Sequence, residues 1–286
     1  LKSMGLDWDL YGTMILNWEK TGLLLGGILW GVFGDKKGRL SVLFGSILVY
    51  SLANIACGLL PQVEFMEKQN AYALFRFIAG VGLAGELGAG ITLVSESLPK
   101  ELRAIGTSIV AGFGLLGAVV ASLTAGLASD WTVAYFIGGG MGLALLLLRI
   151  GVLESGLYKQ IEKNSTVSKG NFLSFFTNYE RFVRYMKCIA IGLPTWFCIG
   201  ILAVFANQFG AALGIVGEID PGKAILWAYI GISAGDFASG FISNWLRSRK
   251  KAIFYMMLFT IVGVILMLFG AAKTVEMYYF FCVWLG

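Results

Sequence analysis

Apolar runs of about 20 residues follow one another along most of this chain, and nothing else in the sequence constrains its fold as strongly. They lie at 14–34, 40–60, 71–98, 104–128, 131–153, 188–213, 223–246 and 252–271, and a ninth begins near 276. A helix advances about 1.5 Å per residue, so each run is long enough to cross the hydrocarbon core of a bilayer. In lipid, backbone N–H and C=O groups must be satisfied internally, which leaves helices or closed barrels. Barrel strands alternate apolar and polar residues, and these runs do not. The expected fold class is therefore an all-α membrane protein. Composition agrees, since only 14% of the 286 residues are charged, against about 25% in a typical soluble domain.

Charge placement then predicts orientation, because short loops rich in Lys and Arg face the cytoplasm. One set of connections holds Lys36, Lys37 and Arg39, then Lys100 and Arg103, then Arg247, Arg249, Lys250 and Lys251. The polar segment 154–187 adds Lys159, Lys163, Lys169, Arg181, Arg184 and Lys187. The intervening connections are poor in basic residues and carry Glu64, Glu67, Asp130, Glu218, Asp220 and Glu276. The net charge of +5 is thus a topology signal and implies no nucleic-acid partner.

The four cysteines lie in or beside the spans, form no C-x-x-C pair, and read as small apolar packing residues. Histidine is absent, which removes His-based triads and His-ligated metals from this region. No nucleophile–base pair, metal cluster or phosphate-cradling loop stands out, so no enzyme and no cofactor is expected. The chain begins LKSMGLDWDLYG and ends inside an apolar run, and it reads as an internal piece of a longer protein.

The connection WGVFGDKKGRL, residues 30–40, carries more charge than a simple turn needs. Gly31 would let the helix end approach a neighbour closely. Gly38 permits the left-handed backbone of a tight reversal. Asp35 is placed to cap the next helix or meet its N-terminal end, and Arg39 to reach a carboxylate, with Glu96 at the same membrane edge. GVFGDKKGR resembles the G-x-x-x-D-[RK]-x-G-R signature of the major facilitator superfamily, found between its second and third spans. A weaker copy, GFISNWLRSRKK, begins at Gly240, with Asn244 where Asp35 stands and Arg247 beyond it. FRFIAGVGLAGELGAG, SESLPKELRAIG with Glu96, Pro99 and Arg103, and VLESG at 152–156 are similar to other parts of that family's pattern.

The resemblance implies a fold of two pseudo-symmetric six-helix bundles, of which spans two to ten are present. Residues 1–153 would belong to the N-terminal bundle without its first span. Residues 154–187 would be a cytoplasmic inter-bundle loop, and 188–286 the C-terminal bundle without its last spans. It also implies a multi-pass protein of the cell membrane, probably expected in a bacterial inner membrane, that works as a monomer. The fifth span, GTSIVAGFGLLGAVVAS, departs from drug antiporters in lacking their Gly-Pro pair.

Ionisable residues deep in a span are costly and mark functional candidates. Glu86 lies midway between Arg76 and Glu96, roughly 15 Å from each along a helix. It reads as a proton carrier, a partner of a cationic group, or a structural carboxylate. Asp236, inside GISAGDFASG, is the second proton-coupling candidate. Arg76 is a candidate clamp for a substrate carboxylate or a cross-bundle brace. Asn207, Gln208 and Trp196 are candidates for lining the cavity, by likeness to sugar porters. Gly31, Asp35, Gly38, Arg39, Glu96, Arg103, Asn244 and Arg247 form a candidate cytoplasmic gate. Gly80, Ala84 and Gly88, and again Gly231 and Gly235, read as helix-packing stripes. The expected function is a secondary active transporter of a small polar metabolite, with an organic acid and proton symport favoured. An uncoupled sugar-like facilitator and a non-transporting sensor are the alternatives.

Overall fold

The computed structural model describes residues 8–128, 130–149 and 170–286. VLESG at 152–156 and the loop residues Lys159, Lys163 and Lys169 lie outside them. Helix α1 (Trp8–Lys37) and α2 (Arg39–Gly58) are separated by Gly38 alone. A one-residue break needs an unusual backbone, and Gly38 supplies it with φ 94 and ψ 160. Its N–H donates to the Gly34 carbonyl at 3.1 Å and closes α1. A 3₁₀ turn, Leu60–Gln62, leads to α3 (Lys68–Ser97), then α4 (Arg103–Leu127) and α5 (Trp131–Leu148).

After a single helical turn, Ser174–Thr177, comes α6 (Tyr179–Phe197), followed by a π-helical stretch, Cys198–Ala203, and α7 (Ala206–Ala212). The last helices are α8 (Pro221–Trp245), α9 (Arg249–Leu266) and α10 (Val275–Leu285), with a π turn at Met267–Ala271 between the final two. Side-chain caps set several starts. Asp220 accepts from the Gly222 N–H at 2.8 Å beside Pro221, and Asn178 accepts from the Arg181 N–H at 3.2 Å.

Among the described residues, seven helical stretches are long and apolar enough to cross a membrane. They are α2, α3, α4, α5, Tyr179–Ala203, α8 and Arg249–Gly270. The run at 14–34 falls within α1, whose 30 residues suffice in length, but Asn17, Glu19 and Lys20 lower its apolarity. The run at 188–213 is not one helix. Asn178 starts α6 well upstream, and the π stretch ends before α7, so Arg181, Arg184 and Lys187 sit on a helix rather than in a loop.

The described residues group into two compact units. One holds the chain up to Ser97 and from Thr124 to Phe172; the other holds Leu98–Leu123 and Leu173–Gly286. In the first unit α3 packs on α1 and α2, and α5 packs on α2. Glycines make these approaches possible. A Cβ at Gly22 or Gly26 of α1 would meet the main chain of Phe77 or Val81, and one at Gly80 would meet the main chain of Glu19. Gly85 makes room for the Trp30 ring and Ser46. Gly31 does not act as expected, because a Cβ there would meet nothing within 4 Å, and the same holds for Gly88. The close approach occurs higher on α1, where α3 is nearest. In the second unit the core is built from Leu202, Ala206, Ala224, Ala228, Met267, Tyr278 and Phe281. Tyr278 is fully buried and donates its Oη to the Leu202 carbonyl at 2.7 Å, satisfying an acceptor in the π stretch. Gly231 packs on the main chain of Val283, and Gly112 of α4 receives the Phe237 ring.

Candidate functional site

Three charged assemblies stand in the first unit, each joining helices far apart in sequence. At the α1–α2 junction, Arg39 Nη1 donates to Asp35 Oδ1 at 2.8 Å and Nη2 to Glu96 Oε1 at 3.3 Å. Asp35 belongs to the last turn of α1 and makes no cap for α2, whose N-cap is Gly38 without a side-chain bond. The i,i+4 spacing across the one-residue break points the Asp35 carboxylate at Arg39 instead. Arg39 thereby ties the end of α1 to the end of α3. Arg103 closes the next turn, donating Nε–H to the Leu98 carbonyl at 3.0 Å.

Higher in the unit, Arg76 donates from Nε at 3.1 Å and from Nη2 at 2.5 Å to one oxygen of Glu19. Beside them the Tyr72 and Tyr135 hydroxyls lie 2.6 Å apart, their rings edge to face. Glu86, further along α3, accepts from Arg149 Nη2 at 3.0 Å, with Tyr50 beside the pair. Arg149 caps the C-terminal end of α5, so this pair joins α3 to α5. Burying either charge alone would be far more costly than burying the pair. Neither Glu19 nor Arg149 was singled out in the sequence, although each lies within an apolar run, and that position was the available signal.

In the second unit, Asp236 sits midway along α8, half-buried, and its Oδ2 has no hydrogen-bond partner. Asn207 and Gln208 are exposed on α7, and Trp196 is exposed near the end of α6. No side-chain hydrogen bond joins these four to one another among the described residues. Asn244 is exposed, and its carbonyl accepts from the Arg247 N–H at 3.1 Å. Arg247 has φ 49, a left-handed backbone at the place where the first motif has Gly38. Ser248 then caps α9, where the first motif has Arg39. The second motif therefore keeps the turn and, among the described residues, lacks the ion pair.

Comparison with known proteins decides the family. The family model of the Major Facilitator Superfamily matches residues 14–286. The chain belongs to this superfamily. Its all-α helices and seven membrane-capable stretches are those of a partial major facilitator fold. It is 36% identical over 121 residues to the niacin transporter NiaP of Acinetobacter baylyi, covering 41% of this chain and 26% of that protein. It is 26% identical over 250 residues to the inner membrane metabolite transport protein YhjE of Escherichia coli, covering 80% of this chain and 56% of YhjE. The sialic acid transporter NanX of Escherichia coli is 23% identical over 235 residues, covering 80% and 55%. The chain thus spans about half or less of the length of these relatives.

Proposed function

We propose that the full-length protein is a secondary active transporter that moves a small polar metabolite, an organic acid above all, by alternating access with proton symport. Glu86 held 3.0 Å from Arg149 inside apolar helices carries this reading. A carboxylate that meets a guanidinium at that depth can release it on protonation, which links proton loading to helix movement. Relatives named for sialic acid and benzoate support an organic acid as the substrate class. Arg76, Asn207, Gln208 and Trp196 are the candidates for contact with the metabolite, and Glu86 and Asp236 for proton coupling. Arg76 is engaged by Glu19, so a substrate carboxylate would have to compete for its guanidinium.

The residues Gly31, Asp35, Gly38, Arg39, Glu96, Arg103, Asn244 and Arg247 serve as a cytoplasmic gate in this reading. The Arg39 bridge to Asp35 and Glu96 would hold one access state and open in the other. The same reading places the protein, as a monomer, in the cell membrane of a bacterium with its inter-bundle loop in the cytoplasm. The basic loops and the relative named for the inner membrane support that placement.

The test uses the full-length chain in proteoliposomes with a weakly buffered exterior, to which organic acids and then sugars are added singly. External alkalinisation with one solute, lost in Glu86→Gln, is the expected result. Labelled-solute uptake without a pH change would favour the facilitator. Binding without uptake would favour the sensor.

A further inference from the structure

Two buried oxygens without partners share one face of α8. Ser233 is 2% exposed and its Oγ has no hydrogen-bond partner, and Asp236 Oδ2 has none either. Residues three apart on a helix are neighbours on its surface. One turn further, Ser239 donates its hydroxyl to the Asp236 main-chain carbonyl at 2.9 Å, which leaves the Ser239 oxygen able to accept. All three stand in the middle of a 25-residue apolar helix. Buried oxygens of this kind are nearly always satisfied, and an ionised carboxylate at such depth requires a counter-charge. No Lys or Arg pairs with Asp236 among the described residues.

The donor set is one carboxylate and two hydroxyls, all hard oxygens, which suit a hard cation. One carboxylate balances one positive charge, whereas a divalent ion would leave a net charge buried in lipid-depth surroundings. We propose that Ser233, Asp236 and Ser239 form a binding site for a monovalent cation, sodium, at the middle of α8. The proposal rests on the transporter reading only in taking α8 to span a membrane.

The experiment uses the full-length protein in detergent without substrate, at fixed pH and ionic strength, in sodium chloride or choline chloride. Sodium should raise the Tm, and radiolabelled sodium should bind and be displaced by excess unlabelled sodium. Asp236→Asn should abolish both effects. Ser233→Ala with Ser239→Ala, which leaves the carboxylate in place, should weaken sodium binding by about tenfold or more. Equal melting in the two salts with no bound label would overturn the site. A stability that follows pH but is equal in both salts would also overturn it, making Asp236 a proton group. Sodium binding without any solute transport would leave the site standing and remove the transporter reading.

Discussion

Arg76 and Glu19 show how a single pair can brace two helices within lipid. Their side chains are 24% and 13% exposed, so removing one partner strands the other in a largely apolar setting. Arg76→Ala should therefore destabilise the full-length protein by about 3–5 kcal/mol. Replacing both residues, as in Glu19→Leu with Arg76→Met, should recover most of that loss, and thermal unfolding in detergent would measure it. Equal losses in the single and double variants would refute the pairing argument. Asp35 belongs to another class. It is half-exposed and contributes one arm of the Arg39 bridge. Asp35→Asn should slow solute uptake with little change in substrate affinity, as expected of a gate; lost affinity at normal turnover would count against that role.

At the scale of the element, the two related turns solve one problem with different residues. Gly38 has a positive φ without strain, whereas Arg247 takes φ 49 with a Cβ present. A left-handed L-residue costs about 1–2 kcal/mol, so Arg247→Gly should stabilise the protein by about 1 kcal/mol or slightly less, allowing for glycine's chain entropy. Gly38→Ala should destabilise it, and the two melting temperatures should move in opposite directions. Helix contacts give a second comparison. Gly231 abuts the main chain of Val283, which cannot move aside, and Gly88 faces open space within the chain. Gly231→Val should lower the Tm markedly, whereas Gly88→Ala should leave it nearly unchanged.

At the scale of the whole molecule, the basic connections predict one orientation for every span. In intact cells, cysteines placed at Lys37 and Lys250 should react only with membrane-permeant reagents, and those at Glu64 and Lys273 with impermeant ones too. Labelling in the reverse sense would invert the topology and move the Arg39 bridge to the outer face. Hydropathy and charge are local quantities, so the helical class, most of the spans and the motif turns were legible from the sequence alone. The family signature at 31–39 was legible for the same reason, being contiguous. Helix neighbours were not, since the same apolar surface packs against any other. Only the tertiary structure decided that Glu86 meets Arg149, that Arg76 meets Glu19, and that Gly22 and Gly26, rather than Gly31, allow close approach. Partner choice in lipid depends on which small residues and charges come face to face across helices, and that is a property of the packed bundle.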